Sequence, residues 1–332
     1  MRICLSGQRA STDKGHFLYA LPFPYHRFHR LLLSTLLIIM CLVRCFRATD
    51  CPNVCDCKWK DGKDSVVCID TNMTSIPKNL DSGVLRFSFI GNQLYSLDED
   101  VFEAAGLTNL QKLHLVRCNI KFINKHAFRT LKNLVDLDLS NNVLTIVPSQ
   151  AFAPIPDLRE LKLNGNPILK IGAFAFTHVR QLIRLEIAEC RIGYIDPNAF
   201  NELENTLEWL KLHRNRVENV KLEAFKTLRA LRGLDLTENP LNCSCDMLPL
   251  KRWLFDKSLS VGRMPSCRYP KINLNKTWDK LQDDDFACLP SVHAPVKAVT
   301  AYEGENVTLT CKLSGTPPPN VVWTLRNREL QN

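Results

Sequence analysis

The residues most able to do chemistry in this 332-residue chain are its 14 cysteines and 8 histidines. Cys51, Cys55, Cys57 and Cys68 stand in the spacing C-x3-C-x-C-x10-C, and a second set, Cys243, Cys245, Cys267 and Cys288, follows much later. Four close cysteines have two uses: as thiolates they hold a structural metal, and in an oxidising compartment they pair. So many cysteines in a chain with a secretory leader favour pairing, and four cysteines can pair in three ways that spacing does not separate. The histidines do not group with carboxylates at ligand spacing, and the chain lacks G-x-S-x-G, H-E-x-x-H and a phosphate-binding glycine loop. No catalytic residue, cofactor or metal is therefore expected.

The element between the two cysteine sets is repetitive. The pattern L-x-x-L-x-L-x-x-N-x-L returns seven times, with Asn92, Cys118, Asn142, Asn166, Cys190, Asn215 and Asn239 in one column at intervals of 26, 24, 24, 24, 25 and 24 residues. That period and those apolar columns read as leucine-rich repeats, each a short strand with a return segment. Ten residues after each of the first six column members comes Phe102, Phe128, Phe152, Phe176, Phe200 or Phe225, which predicts a stacked aromatic spine. One repeat cannot bury its own apolar face, so these residues are packing, shared with neighbours. The asparagine amide both donates and accepts, so inside a turn of the coil it can satisfy buried backbone groups. Cys118 and Cys190 replace it twice; three repeats at about 4.8 Å each put them too far apart for a bridge, and both read as free buried thiols.

Charge and hydropathy narrow the partners. Residues 1–48 hold seven Arg or Lys against Asp13 alone, so the net charge of +9 falls to +3 from residue 49 onward. Nucleic acid is not expected as a partner. The apolar run from Leu31 to Val43, ended by Arg44, is short for a membrane span and suits a signal-peptide core. An uncleaved signal anchor would expose the same repeats, tethered by the other end. Asn72, Asn275 and Asn306 each open an N-x-T sequon, as suits a glycosylated extracellular chain, and Asn242 opens a fourth whose middle residue is Cys243.

Several stretches resemble known modules. CPNVCDCKW with VVC and then Ile76-Pro77 resembles the amino-terminal cysteine cap of extracellular leucine-rich-repeat proteins, which implies bridges Cys51–Cys57 and Cys55–Cys68. NPLNCSCD, with Leu248, Leu250, Trp253 and Leu254 at helical spacing behind it, resembles their carboxy-terminal cap and implies Cys243–Cys267 and Cys245–Cys288. Gly304 to Cys311, then Trp323, resembles strands B and C of an immunoglobulin sandwich. No second cysteine follows Cys311, so the remaining strands are expected beyond Asn332 and the chain reads as a fragment. The expected fold is a leucine-rich-repeat solenoid, a parallel β-strand horseshoe. Residues 1–48 are the signal peptide region, 49–83 the first cap, 84–241 seven repeats, 242–289 the second cap and 290–332 an incomplete all-β immunoglobulin-like sandwich.

In this order the modules most resemble the Kekkon family, whose members add one membrane span and a cytoplasmic tail. The resemblance implies a cell-surface protein that modulates receptor signalling or mediates adhesion, often neuronal. One member restrains the epidermal growth factor receptor through its repeats. The implied partner is a cell-surface receptor or adhesion protein, met on the extracellular side of the plasma membrane, with the span lying outside this chain. A secreted matrix or ligand-trapping protein and the ectodomain of a kinase receptor are the alternatives.

The residues between the strand leucines face the concave side. One column is Arg86, Lys112, Asp136, Glu160, Arg184, Trp209 and Gly233, and the next is Ser88, His114, Asp138, Lys162, Glu186, Lys211 and Asp235. Charges of both signs alternate there, which predicts a self-paired, solvated face. Two clusters stand out against it: Lys112, His114, Val116 and Arg117, and Trp209 with His213 and Arg214. Aromatics and arginines carry much of the energy of protein interfaces, so both clusters are the expected partner-binding residues.

Overall fold

The computed structural model describes residues 51–60, 63–260, 262–295, 298–326 and 328–329, so the expected signal region lies outside the described residues. One nine-stranded sheet organises the chain. Its strands are β1 (Asp56–Lys60), β2 (Lys63–Ile69), β3 (Arg86–Ile90), β4 (Lys112–Val116), β5 (Asp136–Asp138), β6 (Glu160–Lys162), β7 (Arg184–Glu186), β8 (Trp209–Lys211) and β9 (Gly233–Asp235). From β2 onward every neighbour is parallel, and sequence order is spatial order. Such an order follows from a coil that returns each strand beside its predecessor.

Period-two alternation explains the strands. Leu113, Leu137, Leu161, Leu185, Leu210 and Leu234 point inward and are buried, while the two columns on either side of them oppose one another in register on the outer face. Behind the sheet the phenylalanines stack. Ring centroids lie 5.9 Å apart for Phe102–Phe128, 6.0 Å for Phe176–Phe200 and 5.9 Å for Phe200–Phe225.

The asparagine column stitches one coil to the next. Asn142 Oδ1 accepts the backbone N–H of Cys118 at 2.9 Å and of Ile120 at 3.1 Å, and its Nδ2 donates to the carbonyls of Leu115 at 2.7 Å and Leu139 at 2.8 Å. Asn166, Asn215 and Asn239 also bond across to the preceding coil, accepting from Leu144, Ile192 and Val217. Each amide therefore satisfies groups that no water reaches. Where cysteine stands in the column only the donor half survives: Cys118 Sγ reaches the Phe89 carbonyl at 3.0 Å and Cys190 Sγ the Leu163 carbonyl at 3.4 Å. Both are free, and burial pushes both thiols up to about 11, which keeps them protonated and unreactive.

The residue just before each column member turns the chain out of its strand. Gly91, Arg117, Asn141, Gly165, Glu189, Arg214 and Glu238 all have positive φ. Glycine and asparagine take that conformation readily, and a longer side chain costs more there.

Disulfides and short elements close the ends. Cys51–Cys57 and Cys55–Cys68 tie the segment before β1 to the antiparallel β1–β2 hairpin, so none of these thiols is left for a metal. At the other end helix α1 (Leu248–Asp256) lays buried Leu248, Leu250 and Leu254 over the last repeat. Cys243–Cys267 and Cys245–Cys288 hold it. Lys251 is buried there, 2.8 Å from the Leu281 carbonyl and 2.9 Å from Asp283, with Phe286 beneath its ammonium at 5.2 Å.

Beyond the second cap, Cys288–His293 pairs antiparallel with Lys312–Thr316. The alternating stretch from Val307 to Thr310, expected as strand B, is not in a strand; the ladder begins at Lys312 instead. A strand exists only where a partner supplies its hydrogen bonds, and Cys288–His293 lies opposite residues 312–316, leaving Val307 and Leu309 exposed. Cys311 is free and half-buried.

Asn142→Ala strips four hydrogen bonds from buried backbone groups, so urea unfolding of the variant should show a loss of about 1–3 kcal/mol or more with the coil still soluble. An unchanged midpoint contradicts the ladder.

Candidate functional site

The outer face of β4 to β9 is largely paired with itself. Lys112 Nζ lies 2.9 Å from Asp136 Oδ2, and His114 Nε2 lies 3.6 Å from the same oxygen. Lys162 meets Glu160 at 3.1 Å, Lys211 meets Glu186 at 2.8 Å, and His213 Nδ1 lies 3.1 Å from Asp235. Partly exposed pairs of this kind add little stability, but they neutralise most of the face. Asp136 is the exception in burial. Desolvation works against its charged form, yet the His114 and Lys112 hydrogen bonds and charges prevail and bring it down to about 2. Its other oxygen, Oδ1, is buried and has no hydrogen-bond partner among the described residues.

The first cluster divides between two surfaces. Lys112, His114 and Val116 stand on β4, whereas Arg117 has left the strand at φ 55° and reaches Asp70 at 3.6 Å. The second divides in the same way. Trp209 is on β8 and His213 follows it, while Arg214, at φ 53°, lies along the edge with Glu238 at 2.8 Å and Glu189 at 3.1 Å. β4 and β8 are four strands apart, roughly 19 Å at sheet spacing, so the clusters are separate contacts within one footprint.

Two residues beside Trp209 give that cluster its character. Gly233 opposes it on β9, and a Cβ there would lie 2.4 Å from the indole Cε3. The missing side chain is what lets the ring lie over the next strand. Arg184 opposes it on β7, exposed, and among the described residues its guanidinium has no ion pair or hydrogen-bond partner. A half-buried aromatic beside an uncommitted arginine is the least satisfied part of the face. The column position of Arg184 and the glycine at a strand-outer position were the available signals for both; what they lacked was knowledge of which neighbours are paired.

The sequon residues Asn72, Asn275 and Asn306 are all exposed, and none lies on the strands of the repeats. Among the described residues no group of three or more metal-ligating side chains converges, and no helix is long and apolar enough to cross a membrane.

Fold and face together define a leucine-rich-repeat solenoid with disulfide-bonded caps, followed in sequence by an immunoglobulin-like segment. Residues 108–168 match the leucine rich repeat family model, and residues 290–332 match the immunoglobulin I-set domain. The chain is similar to the NT-3 growth factor receptor of Gallus gallus, 33% identical over 146 residues, and to the BDNF/NT-3 growth factors receptor of the same species, 30% identical over 148 residues. The human NT-3 growth factor receptor is 30% identical over 149 residues. These alignments take in 43–44% of this chain but only 17% of each receptor's length. The crystal structure of human 5T4 (Wnt-activated inhibitory factor 1, Trophoblast glycoprotein) superimposes with a TM-score of 0.56 at 24% identity, covering 72% of this chain and 99% of that one, a likeness of fold.

Two outcomes are expected. The lowered Asp136 adds stability that is complete above its ordinary value of 3.8 and is lost as pH falls toward about 2. Asp136→Asn should therefore flatten the acid limb of a urea-midpoint against pH plot between pH 4 and about 2, and an unaltered limb contradicts the assignment. Gly233→Ala should cost about 1–3 kcal/mol by displacing the indole, and most of that cost should vanish in a Trp209→Ala background. Equal cost in both backgrounds would show that the Ser260 carbonyl, 3.2 Å from the same Cβ, sets the limit instead.

Proposed function

We propose that this chain is the extracellular protein-binding region of a cell-surface protein that modulates receptor signalling or mediates cell adhesion. The observation that carries the reading is the Arg184–Trp209 pair, an exposed, unmatched guanidinium beside a half-buried indole, on a face whose other charges are mostly matched. A rigid strand array presents it, and a partner supplying an apolar surface with a carboxylate completes it. Lys112, His114, Val116 and Arg117 form a second contact within the same footprint, and His213 and Arg214 border the first. Glycans on Asn72, Asn275 and Asn306 would leave this face open. The order of modules supports the narrower Kekkon-like reading, a single-pass protein with its span outside this chain. The names of the similar receptors favour, as a second reading, a growth-factor receptor's own ectodomain.

The chain displayed in multivalent form against an array of cell-surface ectodomains should find a protein partner. Trp209→Ser with Arg184→Ala should weaken that partner by roughly tenfold or more with the melting temperature unchanged. Full binding by the double variant, together with loss on deleting residues 290–332, would move the function to the immunoglobulin-like segment.

A further inference from the structure

The return side of the coil is held by short strands of its own, and they are interrupted. Ser96–Leu97 pairs with Phe122–Ile123, and Lys170–Ile171 pairs with Tyr194–Ile195. The flanking bonds are alike in both places. Lys121 N–H donates to the Tyr95 carbonyl and Asn124 N–H to that of Leu97, each at 2.8 Å; Gly193 N–H donates to Leu169 and Asp196 N–H to Ile171, each at 3.0 Å.

The sixth repeat lacks this ladder toward the fifth, residues 218–221 making no backbone hydrogen bond to residues 194–196 among the described residues, and the third repeat lacks it as well. The third repeat's equivalent segment, residues 145–148, makes no backbone hydrogen bond to either neighbouring repeat among the described residues. Pro148 occupies the place of Asn124 and Asp196 and has no N–H to give. The carbonyls of Lys121 and Ile123 receive no backbone hydrogen bond from repeat three, the second because of Pro148 and the first although Thr145 has an N–H. A cleft of about 630 Å³ opens there, lined by both segments. Phe122 and Ile146 stand in it 61% and 65% exposed, two large apolar side chains that the fold leaves in water.

Its charge is one-sided. Lys121 and Lys125 line the cleft, no carboxylate does, and among the described residues neither lysine has an ion-pair partner. This contrasts with the strand face, where nearly every cation is matched. All three sequons lie outside the residues that line it.

We propose that this cleft is a second binding site, which takes an extended acidic segment of a partner protein. The segment's N–H groups would meet the open carbonyls as an added strand, its apolar side chains would cover Phe122 and Ile146, and its carboxylates would pair with Lys121 and Lys125. The site is independent of the Trp209 face and stands or falls without it.

The test uses a fluorescein-labelled, terminally blocked peptide, Asp-Asp-Leu-Val-Leu-Asp-Asp, and its counterpart with lysine for every aspartate, titrated with the chain by fluorescence anisotropy. The acidic peptide should bind saturably and roughly tenfold tighter than the basic one, with the difference shrinking as salt is raised. Lys121→Glu with Lys125→Glu should remove that preference, and Ile146→Ser should weaken the acidic peptide by about tenfold. Both changes are on the surface, so unchanged melting temperatures establish that the variants fold. Trp209→Ser should leave the peptide's affinity as it was. Absence of saturable binding, equal binding of both peptides, or loss on Trp209→Ser overturns the proposal. So does concentration-dependent dimerisation of the chain that Ile146→Ser abolishes, because the occupant is then a second copy.

Discussion

The repeat array depends on a column of buried side chains, asparagine in five coils and cysteine in two, that reach back into the coil before them. A leucine-rich repeat has too little apolar surface to bury itself and turns too sharply to pair its own backbone. Asn142, Asn166, Asn215 and Asn239 answer the second problem by donating to carbonyls of their own coil and the one before it while accepting from the one before it, within a core where an unpaired group is costly. The phenylalanine spine answers the first. With both in place the strands have one register available, and the register decides which side chains meet on the outer face.

That face shows what a fixed register does. Lysines pair with aspartate or glutamate across strands or along one, so the residues that stand apart are those without a counterpart. Arg184 has none, and Gly233 makes room for Trp209 next to it. On the return side the ladder stops at the third repeat, where Pro148 has no N–H to give, and a cleft with apolar walls and a basic rim lies there. In both places binding capacity arises where local pairing stops.

The sequence carried the solenoid plainly, because a period of 24 to 26 residues is written into the coils and the core columns repeat with it. It carried the two outer columns as well, since in parallel strands of equal phase the register follows the period. Pairing within those columns was not legible, because it depends on side-chain reach: Lys112 crosses to Asp136, but Lys162 turns to Glu160 on its own strand. The left-handed row was signalled by Gly91, Asn141 and Gly165 and disguised by Arg117, Glu189, Arg214 and Glu238, so two arginines expected on the binding face lie at its edge. The stretch around Val307 alternates as a strand does, but alternation describes a face and not the partner that makes a ladder.

The most direct measurement is hydrogen exchange on the chain alone and with the first ectodomain partner that captures it. If the parallel sheet is the binding surface, protection concentrates on the strands carrying Arg184, Trp209 and Gly233, with a weaker footprint at Lys112 and His114. Protection confined to residues 290–329, with those strands unchanged, would contradict that account and make the repeats a spacer for the immunoglobulin-like segment.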